Sequence, residues 1–326
     1  MTRIVLIYKQ HPEADRWMPG DRYWRPIIRR LVRGKPLPSG VDKVFINLCL
    51  GLDRLGISYA VNLPFRKVRS DDQVGILGRG RHCIEGYDIS NPIVAGVAVL
   101  QHPSEWPTLC QDYPVVKYLQ HSEWTKNIMV PYFGKRCEVW PVGIDTETWK
   151  PEAAQYKSTN LLIYDKILSD YERNHADLML PILDELKKRK MTFEVIRYGQ
   201  YLPSDFQKAL GRCRAMIFLS ENESQGIAYQ ECLSSGVPIL AWDRGWWLDR
   251  NRHKSGDIKV PATSVPYFDE RCGMIFENLW RFRERLDEFV DKLKAGMFKP
   301  RDFILDNLTL EKCAKKYVAI LEEANC

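Results

Sequence analysis

Short, nearly continuous apolar runs alternate along this chain with longer stretches in which apolar residues recur every three or four positions. The run "TRIVLIY" (2–8) predicts a buried first strand, and "GVDKVFINLCLGLDRLG" (40–56) a helix with Val44, Leu48, Leu52 and Leu55 on one face and Gly56 as its stop. Further strands are predicted at 57–62, 73–78, 94–102, 114–121 and 137–143, with a helix over 122–134 that opens on a serine cap. A polar, proline-bearing stretch at 142–160 follows, and the alternation then restarts. Strands are predicted at 161–167, 191–199, 215–220 and 237–242, and helices at 172–190, 204–213 and 225–235, the last closed by Gly236. Two more helices, at about 277–295 and 309–323, end the chain. Strands alternating with helices predict an α/β protein with mostly parallel sheets covered on both faces. The restart predicts two domains, 1–150 and 151–326, with the last helix a candidate to pack back on the first.

Composition narrows this picture. The chain has 326 residues, 45% hydrophobic and 28% charged, the balance of a soluble globular protein. Its longest near-apolar run, "NPIVAGVAVL" (91–100), is about half of the ~20 residues a membrane span needs, and the apolar part of "MTRIVLIYKQHPE" is short for a signal peptide. A cytoplasmic location is therefore expected. Nine cysteines in mostly apolar surroundings read as reduced core thiols. There is no CxxC, no HExxH and no pair of aspartates two positions apart, so the usual sequence forms of a metal site are missing and none is expected. A GxSxG serine elbow is also absent, and "GRGRHC" (78–83) lacks the third glycine of a dinucleotide fingerprint.

The net charge of +6 lies wholly in the first half, where residues 1–150 hold 21 Lys and Arg against 15 Asp and Glu. Much of it comes from "DRYWRPIIRRLVRGK" (21–35), with Arg22, Arg25, Arg29 and Arg33 at helical spacing. That pattern fits a solvated helix face, peripheral contact with an anionic membrane, or contact with a phosphorylated acceptor or nucleic acid.

The stretch "SENESQGIAYQECLSSGVPILAWD" (220–243) carries the most pointed chemistry. Glu223 follows a predicted strand at the carboxyl edge of a parallel sheet, where ligands of open α/β sheets bind, and Glu231 sits about a turn and a half into the next helix. Between them, Gly226 and Ala228 leave room for an anion at the helix N-terminus. Two carboxylates around an anion site suit a molecule with hydroxyl-rich ends and a charged middle, such as a nucleotide sugar; ordinary surface glutamates are the alternative.

This stretch resembles the signature of the retaining glycosyltransferases of family four, with two glutamates separated by seven residues and a Gly-x-Pro before the next strand: Glu223, Gly226, Glu231, Gly236 and Pro238 match. The passage "HSEWTKNIMVPYFGKRCEVWPVGIDTETWKP" (121–151) is similar to the family's Ser-Glu-Trp … Gly-Val-Asp … Phe-x-Pro segment, and 40–56 resembles its glycine-started first helix. The resemblance implies the GT-B fold, two Rossmann-like doubly wound domains facing a central cleft. It implies a metal-independent, retaining transfer of a hexose from a nucleoside-diphosphate sugar to a hydroxyl of a glycan, lipid-linked or small-molecule acceptor, with no cofactor besides the donor and no nucleic-acid partner.

By the same resemblance, Glu231 would hold the ribose and Glu223 the sugar, with the backbone of Gly226, Ile227 and Ala228 facing sugar and phosphate. The family's Arg and Lys, five residues apart, are not reproduced: "YDKILSDYERNH" offers Lys166 and, two residues late, Arg173 for the diphosphate. Gly40 would open a helix N-terminus to the diphosphate or acceptor, His102 would touch the sugar, and Arg244 in "AWDRGWW" would reach the phosphates, while His121 reads as structural. Rivals are a nucleotide-sugar epimerase or phosphorylase on the same fold, and a non-catalytic binding module working through the basic 21–35 face.

Overall fold

The inner strands of this chain form where runs of four or more consecutive side chains are buried or nearly so, and the shorter or more exposed strands lie toward the sheet edges. In the computed structural model, which describes residues 2–9, 15–22, 24–25, 39–153, 157–247 and 260–325, β1 (Ile4–Ile7) is buried along its whole length. So are β3 (Gln73–Ile76) and β4 (Ile93–Gly96), while β2 (Tyr59–Val61), β5 (Val115–Gln120) and β6 (Cys137–Val139) complete a six-stranded sheet in the order β2-β1-β3-β4-β5-β6. The pairings β1 to β2, β1 to β3, β3 to β4 and β4 to β5 are all parallel. α1 (Gly40–Arg54) buries Val44, Leu48 and Leu52, three members of the predicted stripe. α2 covers Glu123–Phe133.

The second sheet contains β7 (Thr159–Lys166), β8 (Phe193–Arg197), β9 (Cys213–Ser220), β10 (Ile239–Trp242) and β11 (Gly273–Phe276), in the order β11-β10-β9-β7-β8 and parallel throughout. Both sheets start in their middle, step to one side, then cross back and run out on the other. That is the doubly wound order in which the second strand flanks the first and the third begins the return. Helices of the second half are α3 (Leu180–Lys188), α4 (Pro203–Arg212), α5 (Ile227–Ser234), α6 (Leu279–Lys294), α7 (Pro300–Asn307) and α8 (Leu310–Ala324). On α6 the core face is Phe282, Leu286 and Phe289, each fully buried and each contributing on the order of 1.5–3 kcal/mol of hydrophobic stabilisation.

Three features depart from the pattern predicted by sequence. The helix expected over 172–190 runs as Tyr171–Asn174, a π turn at His175–Met179, and then α3. Pro181 explains the π turn, because a ring without an N–H disturbs the bonding of the turn before it. The strand expected over 94–102 stops at Gly96, whose φ is +133° and where a Cβ would collide with the Leu119 carbonyl. β11 and α7 were not predicted at all.

The chain divides into two compact units: Met1–Leu119 with Met129–Glu138 and Lys315–Cys326, and Gln120–Ile128 with Val139–Ala314. Relative to the division expected at residue 150, the stretches 120–128 and 139–150 go with the second unit and the end of the last helix with the first. Each unit has its own core. In the first, Val5, Ile7, Val74, Ile76 and Tyr118 pack together; in the second, Leu161, Ile163, Ile217, Leu219, Phe282 and Phe289 do so.

Candidate active site

In the second unit β7 and β9 lie side by side with Lys166 opposite Ser220 in register, so both residues emerge at the carboxyl edge where the strand order reverses. The chain leaving β9 turns at once and brings Glu223 back over this edge. Its Oε1 accepts from Lys166 Nζ at 2.6 Å and from the Ser220 hydroxyl at 2.9 Å. The lysine ammonium also sits 4.6 Å from the centre of the Tyr198 ring, just past the end of β8. With side-chain exposures of 18% for Lys166 and 10% for Glu223, this ion pair is largely withdrawn from water. The main chain of Glu223 is fixed from both sides, its N–H donating to the Thr263 carbonyl at 3.0 Å and its carbonyl accepting from Trp124 Nε1 at 2.8 Å.

Glu221, two residues earlier, has a structural task. Its carboxylate accepts the N–H groups of Leu168 and Ser169, the latter at 2.8 Å, and so shapes the loop that leaves β7. Burial pushes its carboxyl up, while the Ser169 and Leu168 N–H groups and the nearby Arg244 charge pull in the other direction.

α5 begins at Gly226, whose φ of +80° lies in the left-handed region. A Cβ there would fall 2.0 Å from Tyr229 Cε1. Tyr229 cannot easily yield, since its hydroxyl accepts the Tyr267 N–H at 3.0 Å. Only glycine therefore opens this helix, and the first-turn N–H groups that every helix leaves unused by its own ladder start at the loop carrying Glu223. Gln225 and Gln230 brace the turn: Gln225 Nε2 donates to Gln230 Oε1 at 2.8 Å, and Gln230 Nε2 donates to the Gln225 carbonyl at 2.7 Å. Ile227 is buried and Ala228 half-buried. Glu231 is buried in the second turn. The hydroxyls of Tyr164 and Tyr201 bond each other at 2.7 Å. Burial pushes the Tyr201 phenol up to about 12, and the charges of Glu231 and Glu223 add to it, so the tyrosines stay neutral and both carboxylates act on one shared environment.

Of the residues singled out by sequence, the structure thus gathers Lys166, Glu223, Gly226 and Glu231 around one sheet edge. Arg173 is placed differently: its side chain is 83% exposed on the first helical turn and pairs with Asp177 at 3.5 Å. Arg244 is exposed, 5.5 Å from the Trp242 ring centre, in a turn held by Asp243, which accepts the Gly245 N–H at 2.9 Å and the Thr263 hydroxyl.

Two of the residues lie in the first unit. His102 caps a short helical turn, its Nδ1 accepting the Ser104 N–H at 3.2 Å. Gly40 opens α1 behind a complete capping box, in which Asp42 N–H donates to Ser39 Oγ and Ser39 N–H to the Asp42 carboxylate. In the basic segment Arg25 is buried beside Asp21 at 3.4 Å, which departs from a solvated face, and Arg22 pairs with Asp15 at 3.8 Å. Asp21 draws Arg25 inward because its carboxylate is already fixed by the N–H groups of Arg16 and Trp17. Arg29 and Arg33 lie outside the described residues.

Sequence reasoning missed Tyr198, Tyr201, Ser220 and the loop-shaping role of Glu221. The tyrosines carried a usable signal, since "YGQYLP" (198–203) spans the end of the strand predicted at 191–199 and so falls at the same sheet edge. Among the described residues no group of three or more His, Cys, Asp or Glu side chains converges as a metal site, and no helix is long and apolar enough to cross a membrane.

No protein-family model and no curated protein matches the sequence. Solved structures do resemble it. The apo form of the lipopolysaccharide outer core galactosyltransferase WaaB aligns over 99% of this chain and 100% of its own, with a TM-score of 0.55 at 10% identity. The N-terminal domain of Candida albicans trehalose-6-phosphate phosphatase aligns over 96% and 83%, with a TM-score of 0.54 at 10% identity. The pneumococcal O-GlcNAc transferase GtfA, in complex with UDP and GlcNAc, aligns over 79% of this chain but 58% of its own, with a TM-score of 0.50 at 10% identity. At such identity the likeness is one of fold, and the chain has that fold: two Rossmann-like α/β units, the GT-B architecture.

Proposed function

We propose that the chain is a glycosyltransferase that moves a hexose from a nucleoside-diphosphate sugar to a hydroxyl acceptor with retention of configuration and without a metal. The observation that carries this reading is the Lys166, Glu223 and Ser220 cluster standing at the switch-point edge, next to the glycine-opened N-terminus of α5. Shared fold alone would be a weak argument, since one of the similar structures is a domain of a phosphatase. The names of the other two, a galactosyltransferase and an O-GlcNAc transferase bound to UDP and GlcNAc, lend support.

As the sugar–phosphate bond breaks, negative charge grows on the departing diphosphate and positive charge on the sugar ring. Lys166 and the first-turn N–H groups of α5 supply donors for the phosphate, replacing the charge that a metal would otherwise bring. Glu223 accepts sugar hydroxyls, and Glu231 accepts those of the ribose. The acceptor hydroxyl attacks from the face the leaving group vacates; its oxygen bonds to the anomeric carbon, the phosphate oxygen keeps the electron pair of the broken bond, and that oxygen takes the hydroxyl proton. Glu223 positions the sugar and forms no covalent intermediate, unlike the nucleophile of a retaining glycosidase.

A thermal-shift panel of UDP-, GDP-, ADP- and TDP-sugars tests the reading. A ligand at 100 times its dissociation constant adds about 2.7 kcal/mol of stability. One donor class should raise the melting temperature, and Lys166→Met should abolish the rise. A flat response to every donor sinks the proposal.

A further inference from the structure

The carboxyl edge of the first sheet reverses strand order in the same way as that of the second, and the two loops at its switch point carry a lysine and an arginine. Lys9 follows β1, and Gly78, Arg79, Gly80, Arg81 and His82 follow β3, its neighbour. These two loops touch: a Cβ on Gly78 would come within 3.1 Å of the Lys9 backbone, and the Lys9 carbonyl lies 3.4 Å from Cys83 Sγ and 3.3 Å from His82 Nε2. The Lys9 ammonium stands 4.7 Å from the Phe65 ring centre. The Arg79 side chain is exposed, whereas Arg81 is held by the Glu105 carbonyl and the Trp106 ring.

Among the described residues neither Lys9 nor Arg79 has a carboxylate partner within 4.0 Å. Asp42 is the carboxylate whose charge reaches Arg79, and it is already engaged by the Tyr8 hydroxyl and the Ser39 N–H. Two cations without a carboxylate partner among the described residues, carried on touching loops at a sheet's switch point, offer donors to a compact anion. A phosphate monoester, with up to two negative charges and three oxygens, matches two such donors.

We propose that Lys9 and Arg79 bind a phosphate group carried by the acceptor, so that this protein glycosylates a phosphorylated molecule. The proposal rests on the glycosyltransferase reading for the word acceptor, while the anion site itself does not.

Calorimetric titration of the full chain with inorganic phosphate tests the site, using wild type, Lys166→Met and the double variant Lys9→Gln/Arg79→Gln. Wild type and Lys166→Met should share a phosphate site that the double variant weakens at least tenfold, about 1.4 kcal/mol. Circular dichroism and a denaturant midpoint check that the double variant is folded; if it is not, Arg79→Gln alone should weaken the site at least threefold. An unchanged phosphate affinity in the folded variants, or no phosphate site in wild type, overturns the proposal. A soluble sugar phosphate and vesicles containing phosphatidic acid then distinguish the two sources of phosphate. Loss of binding in the double variant to either supports the site and names its source, and undiminished binding to both removes it. Should the donor panel stay flat while the phosphate site survives Lys166→Met, the reading of the second unit fails and the anion site stands.

Discussion

The two sheets of this protein share a strand order and differ in how the same edge is furnished. At the switch point of the second sheet the lysine is paired with a glutamate and shielded from water, and a second glutamate is buried in the following helix. At that of the first, lysine and arginine stand on the loops without a carboxylate partner among the described residues. Strand order fixes where a ligand can sit; the side chains on three or four loop positions fix what the ligand is. A neutralised, partly dry edge suits a ligand that brings both hydroxyls and charge, and an open cationic edge suits a simple anion.

The glycines after the third strand of each sheet sharpen this contrast most. Gly226→Ala places a side chain at a φ of +80° and against the fixed ring of Tyr229, which together should cost about 2–5 kcal/mol. At Gly78 no positive φ is imposed, and a Cβ would meet the buried Cys83 thiol at 2.2 Å and the Lys9 backbone at 3.1 Å; about 1–3 kcal/mol is expected. Urea denaturation of both variants measures the difference. Equal losses would mean that the first edge is built as rigidly as the second.

Much of this was legible beforehand. β7, β9 and β10 are built around the apolar runs 161–164, 215–219 and 239–242, short enough and apolar enough for buried strands, and the Glu223, Gly226 and Glu231 spacing places its residues through the local geometry of a strand, a turn and a helix. What escaped depends on contacts distant in sequence. β11 is four residues long and exists because Gly273 to Phe276 pair with Ile239 to Trp242; α7 is defined by Phe303 and Ile304 finding a core. Tyr198 and Tyr201 reach Lys166 and Tyr164 through the register of β8 on β7. No local pattern contains those distances.

Acid separates the two units next. His121, in the second unit, is buried with its Nδ1 3.2 Å from the Trp140 carbonyl, and burial pushes its imidazole down to about 4. A histidine whose folded pKa lies below its ordinary 6.5 is protonated first in the unfolded chain, so its contribution is intact above pH 6.5 and is lost as pH falls toward 4. The loss should approach about 3 kcal/mol. Glu221, whose carboxyl burial raises, works in the opposite direction over part of that range. In the first unit Asp42 and Asp72 are held below the ordinary 3.8: burial pushes both up, but the bonds to Tyr8 and Ser39 and to Arg3 prevail. Their contribution is present above 3.8 and is lost only as pH falls further. Denaturant midpoints between pH 7 and 4, compared with His121→Asn, isolate the histidine. A variant with the same slope as wild type would remove this difference between the units.

A smaller effect should appear with opposite signs in two measurements. In the free protein Glu223 neutralises Lys166 at 2.6 Å, so a diphosphate must displace a carboxylate to reach the ammonium. Glu223→Gln removes that competitor and should tighten binding of the nucleoside diphosphate alone by about threefold, roughly 0.7 kcal/mol. The same change removes a hydroxyl acceptor from the sugar and should slow transfer at least tenfold, about 1.4 kcal/mol. Weaker nucleotide binding in this variant would show that the glutamate supports the phosphate site instead of guarding it.

The smallest effect is expected where the sequence pointed and the structure turned away. Arg173 was a natural candidate for the diphosphate because it follows Lys166 at nearly the family spacing. Spacing specifies a side chain's direction only if the intervening backbone is regular, and here it is not. Asp170 sits at a φ of +41°, and the helix it introduces turns Arg173 outward, 83% exposed and facing Asp177. An exposed pair of this kind contributes about 0–1 kcal/mol to stability. Arg173→Ala should therefore shift nucleotide affinity by less than about twofold, or 0.4 kcal/mol, and leave the melting temperature nearly unchanged. A tenfold loss of donor affinity would mean that the loop after β7 rearranges on binding and swings this arginine to the phosphates, so that the second edge becomes cationic only as its ligand arrives, whereas the first carries its cations beforehand.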